Sequence, residues 1–364
     1  CHAYIGIAAA RRASGASDAG LAALALAEPL AAGMAREASR VAYLRGCFEF
    51  ARGDARASQR AQEAARERAL AAGDIECEAQ ALSGLADVLY ADGRMASAYA
   101  AFERCVALCE RGGLTRFSLN NRCMLAIVHA FLDPADAALP ELDRVRVAAR
   151  ELRQPAAEVM ADETEGWVRV VQGRYDDAIA PSERSLALAR EIGSRRWVMF
   201  DLGLLAYAYW HAGRHIAARQ ALDEAFAHAG DVVLRFIGGM LYGAQALMAE
   251  DAIDRARALA EGERLLASGC PAHCHFWFRR EAIDASLAHA DWDGAVRQTV
   301  ALDAFTRAER VPWIDFQVTR GRILAAAGRG APDRDALLAC RRRGVVMHLP
   351  GALPALDAAL AKLA

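Results

Sequence analysis

Residues 79–113 read AQALSGLADVLYADGRMASAYAAFERCVALCERGG, and this stretch decides the fold. Two segments with the apolar spacing of an α-helix meet at Asp92-Gly93-Arg94, and a glycine pair closes the far end at Gly112-Gly113. The large apolar side chains cover more than one side of this helix pair, so the pair cannot bury them alone. They are Leu82, Leu85, Leu89, Phe102, Val106 and Leu108. The stretch therefore predicts a helical hairpin stacked between similar hairpins.

Turns like the one at Gly93 recur on a 40-residue grid. They occur at Gly53-Asp54, Gly93-Arg94, Gly173-Arg174 and Gly213-Arg214, with Asp133-Pro134 in the remaining place. A second series of glycines, Gly73, Gly113 and Gly193, lies half a period later, where a glycine just past a helix end can take the left-handed conformation. Small residues seven positions before the turn, such as Gly46 and Gly166, predict a close approach of the two helices of each hairpin.

This pattern predicts an all-α fold. Its spacing resembles the tetratricopeptide repeat, although the period exceeds the usual ~34 residues. We expect a tetratricopeptide-like α-solenoid, a right-handed superhelix of about nine antiparallel helix pairs. The repeats are expected to occupy residues 1–348, with turns near residues 15, 53, 93, 133, 173, 213, 251, 290 and 328. Residues 349–364 are expected to form a C-terminal capping helix.

Composition excludes several classes of site. The formal net charge is −2 with both signs dispersed, so no basic face predicts nucleic-acid binding. Lys362 is the only lysine among 44 basic residues, which excludes a GxxxxGK[ST] phosphate loop and a Schiff-base lysine elsewhere in the segment. We therefore expect no cofactor in this segment.

The sequence also carries expectations about location. It contains no run of 18 strongly apolar residues and no basic-then-apolar leader, so neither membrane contact nor a signal peptide is expected. Its nine cysteines are odd in number and lie mostly within helical patterns, which favours a reducing compartment, the cytoplasm. Because the first residue is not methionine, we expect a piece of a longer protein.

Several stretches resemble the repeat arm of a bacterial signalling family. That family joins an adenylate/guanylate cyclase domain, an AAA-type ATPase module and C-terminal tetratricopeptide-like repeats in one chain. The stretches are Leu44-Arg45-Gly46 with Arg52-Gly53, residues 81–87, residues 90–95, residues 104–109, His273-Cys274-His275-Phe276-Trp277-Phe278-Arg279-Arg280-Glu281-Ala282, Leu287 with Asp291-Trp292-Asp293, Val311-Pro312-Trp313-Ile314-Asp315-Phe316 and Arg320-Gly321-Arg322.

The resemblance implies a non-catalytic arm that regulates an attached cyclase and ATPase. Its partner would be a protein or peptide segment, or a small effector, and contact with N-terminal modules of the parent chain is expected. Three alternatives remain open: an enzyme with a small-molecule or metal site around Cys270–Arg280, a stand-alone structural scaffold, and a DNA-binding activator. The last would need a helix-turn-helix, which the segment lacks.

The concave face of the predicted solenoid is the candidate binding surface. In tetratricopeptide arrays, residues 13, 10, 6 and 3 positions before the turn point inward from the first helix. These offsets select a set rich in aromatic and hydrogen-bonding side chains, which are favoured at binding surfaces. The set is Arg40, Tyr43, Gln80, Asp87, Tyr90, Asn120, Glu163, Trp167, Tyr207, Trp210, Tyr242, Gln245, Trp277, Arg280, Asp284, Asp315 and Arg322. Alternatively, Trp167, Trp210 and Trp277 pack between helices.

One cluster has the residue types of a metal site. Cys270, His273, Cys274 and His275 offer thiolates and imidazoles, which bind zinc. Their spacing does not form the two separated ligand pairs of common structural sites, so an ordinary interhelix loop is the preferred interpretation. Cys270 with His273 also lacks an orienting third group for nucleophilic catalysis. We predict neither a catalytic residue nor a metal ligand.

Overall fold

The computed structural model describes residues 1–13, 16–133 and 136–363. These residues are almost entirely helical and include no β-strand, which confirms the all-α prediction. The predicted turn residues Gly15 and Pro134 lie outside the described residues. Among the described helices, none has the length and apolar composition of a membrane span.

The described residues form nineteen α-helices. They are α1 His2–Ala13, α2 Ser17–Ala27, α3 Ala35–Arg52, α4 Ala55–Ala72, α5 Ile75–Ala91, α6 Met95–Gly112, α7 Thr115–Leu132, α8 Leu139–Glu151, α9 Pro155–Gln172, α10 Tyr175–Glu191, α11 Arg195–His211, α12 His215–Ala227, α13 Asp231–Met248, α14 Ala252–Ala267, α15 Ala272–Ala288, α16 Trp292–Phe305, α17 Pro312–Gly328, α18 Arg334–Val346 and α19 Leu353–Ala361. Short 3₁₀ helices occupy Pro29–Ala31, Asp136–Ala138 and Pro350–Ala352.

Glycine and aspartate set many of the helix ends. The four turn glycines of the 40-residue grid have φ between 77° and 86°, a region that L side chains rarely adopt. Asp54, Asp74 and Asp291 accept hydrogen bonds from the backbone of the following helix, which is the N-cap arrangement. In the last repeat, the residue with positive φ is Gly330, two positions beyond the predicted turn at Gly328. This shift of register matters for the site.

The chain divides into two compact units, and the first comprises Cys1–Asp92 with Ala96–Leu125. Its helices approach closely at small residues. The Gln62 side chain of α4 fits against Gly46 of α3 and Gly84 of α5, where any Cβ would come within 2.4 Å of it. Ser58 Oγ donates a hydrogen bond to the Gly46 carbonyl oxygen at 2.8 Å. Cys105 and Cys109 are buried beside Leu82, as small apolar residues.

The second unit comprises Gly93–Met95 and the chain from Ala126 onward. Consecutive helices pack as pairs, such as α9 with α10 and α11 with α12, and α13 also packs directly on α15. Gly166 of α9 lies against Ser182 of α10, as the small-residue spacing predicts. Gly239 of α13 lies so close to α15 that a Cβ would sit 2.6 Å from the Cys274 carbonyl oxygen. The first helices of these two successive pairs, α13 and α15, therefore approach each other closely at the backbone.

The α13–α15 contact can be tested with a pair of helical glycines. Gly239→Ala should lower the free energy of unfolding by about 1–3 kcal/mol, because backbone atoms of α15 must move away. Gly6→Ala in α1 is the control, because no atom lies within 4 Å of its added methyl group. The control should be neutral or stabilising by up to about 1 kcal/mol. Urea unfolding followed by circular dichroism measures both, and equal effects would contradict the close contact.

Candidate functional site

The centre of the second unit is filled by an aromatic cluster from five helices. The cluster consists of Phe131, Trp167, Tyr207, Phe276, Trp277 and Trp313, none more than 1% exposed. Trp277 stands edge-on to Trp167 with ring centroids 5.2 Å apart and to Tyr207 at 5.5 Å. Trp313 Nε1 donates a hydrogen bond to the Val171 carbonyl oxygen at 3.2 Å, which joins α17 to the end of α9. Residues far apart in sequence thus share one interior.

A buried cation, Arg280, lies against this cluster. Its guanidinium carbon is 5.1 Å from the ring centroid of Tyr207, 5.7 Å from that of Trp277 and 5.9 Å from that of Trp313. Its Nη2 donates a hydrogen bond to the Tyr175 hydroxyl at 2.9 Å. Cation–π attraction of this kind is strongest where water is excluded, so the rings offset part of the cost of burying the charge.

Arg280 also lines a cavity of about 730 Å³, here called the Arg280 cavity. Its polar lining is contributed by Tyr175, His211, Arg280, Asp284, Arg320 and Lys362. The remaining walls are largely apolar and come from α13, α15, α16, α17 and the alanine-rich helix α19. A concave, mostly apolar site with a few convergent polar groups is the usual form of a small-ligand pocket, and this volume lies within the usual range.

The carboxyl groups beside Arg280 differ in charge. Complete burial of Glu281 raises its pKa to about 8, so this group is mainly protonated at neutral pH. Burial also opposes ionisation of Asp284, but Arg320 and Arg280 outweigh it and lower the pKa of Asp284. Arg320 Nη1 donates to Asp284 Oδ1 at 2.6 Å, and its Nε donates to the Ala352 carbonyl oxygen at 3.3 Å. One carboxylate therefore faces two buried guanidinium groups.

Two residues of the lining each have a buried polar atom without a hydrogen-bond partner in the described part of the chain. Arg280 Nε and His211 Nε2 are buried and have no hydrogen-bond partner among the described residues. Burial, with repulsion from Arg280, lowers the pKa of His211 to about 3, so the imidazole is neutral at pH 7. Its ring stacks on Tyr175 with centroids 4.4 Å apart. Buried polar groups are nearly always satisfied, so these atoms need an explanation.

Five residues of the predicted concave set come together in this interior. They are Trp167, Tyr207, Trp277, Arg280 and Asp284. The three rings are fully buried, whereas Arg280 and Asp284 line the Arg280 cavity.

Other predicted residues lie beside second helices. The Trp210 ring is 5.6 Å from the guanidinium carbon of Arg219 in α12, and Tyr242 contacts Phe226 of α12. Gln245 lies exposed near α12 and α14. Arg322 pairs with Asp303 of α16 at 3.3 Å, and Asp315 is 3.5 Å from Arg310.

The remaining predicted residues of the concave set belong to the first unit, apart from Glu163. Tyr90 is buried, Asn120 is exposed, and Arg40, Gln80 and Asp87 are partly exposed. The Tyr43 ring lies 5.9 Å from the guanidinium carbon of Arg12. Burial raises the pKa of Tyr43.

The cysteine–histidine segment at the start of α15 is bonded to the backbone. Cys270 Sγ donates to the Leu265 carbonyl oxygen at 3.3 Å, and Cys274 Sγ donates to the Phe236 carbonyl oxygen at 3.2 Å. His273 Nε2 also contacts the Phe236 carbonyl oxygen, and the His275 ring stacks on Phe305. Among the described residues, no group of three or more His, Cys, Asp or Glu side chains is arranged to hold a metal ion.

Sequence reasoning did not place Tyr175, His211, Trp313 or Arg320 at the site. Tyr175 begins a second helix, outside the set of first-helix positions. Arg320 lies ten residues before Gly330, and Arg280 lies ten residues before Ala290. Both Gly330 and Ala290 have positive φ. A grid drawn through Gly330 instead of Gly328 would have selected Arg320.

Comparison with known proteins supports the fold. No family model and no curated protein sequence matches the chain. A crystal structure of Rap protein complexed with competence and sporulation factor is similar, with a TM-score of 0.61 and 17% sequence identity, over 77% of this chain and 76% of that chain. A circular tandem repeat protein with novel repeat topology aligns over 99% of this chain and 93% of its own, with 14% identity and a TM-score of 0.19. The chain therefore has a tetratricopeptide-like helical-repeat fold.

A second buried group, Glu163 with Asp201, makes stability depend on pH. Burial raises the pKa of Glu163 to about 7 and, with repulsion from Glu163, raises that of Asp201 well above its ordinary value. Ser185 Oγ donates to Asp201 Oδ2 at 2.8 Å. Between its unfolded and folded pKa values Glu163 keeps a proton in the folded state that it loses in the unfolded state, so its contribution to stability is complete below pH 4.5 and is lost as the pH rises through about 7.

Glu163→Gln should therefore raise the free energy of unfolding at pH 8 by about 1–3 kcal/mol and have little effect at pH 4.5, because glutamine has no proton to lose. Urea unfolding at a series of pH values measures the difference. Glu191→Gln, at an exposed position at the end of α10, is the matched control and should follow the wild-type profile. Parallel profiles for Glu163→Gln and wild type would contradict the assignment.

Proposed function

We propose that the chain is a non-catalytic binding arm. Its inner face, the side that the first helices of the pairs form, holds a protein segment or an effector. The Arg280 cavity supports this proposal, because it combines apolar walls with buried hydrogen-bond donors at its floor. Rings and guanidinium groups arranged in this way anchor partners at many interfaces. The similar Rap structure was solved with competence and sporulation factor, so a fold of this kind accommodates a bound partner.

The finer part of the proposal concerns regulation. From the resemblance of segments such as His273–Ala282 and Val311–Phe316, we propose that the arm belongs to a cytoplasmic chain with cyclase and ATPase modules. Occupation of the inner face would favour one of two arrangements of the helix pairs and so change cyclase output. Intramolecular contact with those modules is part of this proposal.

A separate enzymatic activity around Cys270–Arg280 is the second candidate, and the geometry favours it less. The Cys270 and Cys274 thiols donate to backbone carbonyl oxygens. A side-chain hydrogen bond with Cys274 lowers the pKa of Cys270, and the nearby charge that also lowers it is Arg235, not a histidine. A nucleophilic thiolate needs a nearby base in turn oriented by a third group.

Site-specific photo-crosslinking tests the binding proposal. A benzoylphenylalanine at Ala288, on the exposed rim of the Arg280 cavity, should form a specific adduct in the full-length protein in cells. The same residue at Ile253, 73% exposed on α14, is the matched control and should form none. Mass spectrometry identifies the adduct, and a cross-link to a cyclase or ATPase module of the same chain would support the regulatory part.

Equal labelling at the two positions, or none at Ala288, would contradict the binding proposal. A specific Ala288 adduct with a separate protein would retain the binding arm and contradict the intramolecular contact.

A further inference from the structure

We propose that the Arg280 cavity is a receptor site for a monocarboxylate carried on an apolar body. This inference deepens the proposed function, because it names the chemistry of the group that the inner face binds. It rests on the charge balance of the lining, on two unpartnered donors and on the character of the walls.

The charge balance of the lining favours an anionic ligand. Arg280 is 6% and Arg320 is 7% exposed, and each lines the cavity. Asp284 pairs with Arg320 at 2.6 Å and balances one of the two positive charges. Glu281 lies 3.4 Å from Arg280, but burial keeps this carboxyl mainly protonated. Asp284 is therefore the carboxylate that stays ionised beside two buried guanidinium groups, so an anion in the cavity would improve the charge balance of the site.

The two atoms without a hydrogen-bond partner among the residues described, Arg280 Nε and His211 Nε2, also favour a ligand that accepts hydrogen bonds. Arg280 Nε is always a donor, and a neutral imidazole can carry its proton on Nε2. Each of these atoms would be satisfied by a group that accepts a hydrogen bond. A carboxylate has two oxygens and matches guanidinium geometry, and charge-assisted bonds of this kind are about twice as strong as neutral ones.

The size of the charge favours a monoanion over a phosphate. A phosphate monoester carries close to two negative charges at pH 7, which exceeds the single net positive charge of Arg280, Arg320 and Asp284 together. Lys362 stands exposed on the rim, where solvent screens its charge, so it contributes little to the choice between the two anions.

The walls favour an apolar body behind the carboxylate. Leu247, Leu287 and Leu324 line the cavity together with the Trp292 ring. Helix α19 contributes Ala355 and Ala358, whose small side chains leave the space open. Burying an apolar chain against these groups is worth about 25 cal/mol per Å² before the costs of association.

Titration calorimetry with two pairs of probes tests the inference on the purified 364-residue chain. Octanoate should bind about 10- to 100-fold more tightly than octanamide, which has the same body without the charge. Acetyl-Leu-Ala-Leu-Ala with a free C-terminus is compared with its C-terminal amide. A preference for octanoate identifies a free organic acid as the source of the carboxylate, and a preference confined to the peptide acid identifies a peptide C-terminus. Either preference supports carboxylate recognition.

Variants separate binding from folding. Arg280→Gln should abolish the acid-over-amide preference, and Arg310→Gln, an exposed arginine of the same unit, should keep it. Because Arg280→Gln can impair folding, Ala358→Trp is added. This variant places a bulky ring in the cavity wall and replaces no buried charged group, so it should block binding while the helical circular dichroism is unchanged.

Equal affinity for acid and amide, no binding of either acid up to about 10 mM, retained binding in Ala358→Trp, or stronger binding of inorganic phosphate than of octanoate would each overturn the inference. Octanoate binding without an Ala288 cross-link would leave the carboxylate site standing and refute the partner-binding arm. An Ala288 cross-link without a preference for acid over amide would support the partner-binding arm and refute the carboxylate site.

Discussion

The second unit depends on how it buries the charge of Arg280. Transfer of an ion from water into a protein interior costs several kcal/mol unless partners replace the lost hydration. Here three rings and the Tyr175 hydroxyl surround the guanidinium, and these groups come from α10, α11, α15 and α17. If the helix pairs were displaced, the charge would lose these partners. Arg280 therefore joins these four helices, and under the proposal above an anion in the cavity would act on their arrangement.

Filling of the interior determines what the unit can bind. The six rings of the aromatic cluster occupy the space between the first helices, so an extended segment cannot thread through the centre of the unit. The Arg280 cavity remains beside the cluster, with α19 forming one wall. A ligand that replaced contacts between α19 and α17 would change the last repeat as well as fill the cavity, which is a physical route from binding to a change in the arm.

Local glycine chemistry made the fold predictable. Gly53, Gly93, Gly173 and Gly213 adopt positive φ at turns, and the residues between them have helical spacing. At two of these turns the residue six positions earlier, Trp167 or Tyr207, is buried in the aromatic cluster. Trp210 lies three residues before the turn at Gly213 and three residues after Tyr207. At about 100° per residue the two side chains point about 60° apart around the helix, and Trp210 packs towards α12.

The rest of the site depended on register that the sequence does not mark. Helix α13 ends at Met248 without a glycine cap, so the turn assigned at Asp251 misplaces its inner face and leaves Gln245 exposed. In the last repeat the predicted turn is at Gly328, whereas the residue with positive φ is Gly330. Two residues correspond to about 200° around the helix, so the inward offsets selected Arg322 and not Arg320. The Tyr175–Arg280 hydrogen bond joins residues 105 positions apart, and helical periodicity carries no information about such a pair.

The most direct test of this account is a double-mutant cycle between Tyr175 and Arg280. Tyr175→Phe, Arg280→Gln and the double variant are compared with wild type by urea unfolding. Because the hydrogen bond reaches a buried charge, the account predicts a favourable coupling of about 1–3 kcal/mol between the two sites. Strictly additive effects, with a coupling indistinguishable from zero, would contradict the buried-cation arrangement on which the cavity and its ligand chemistry depend.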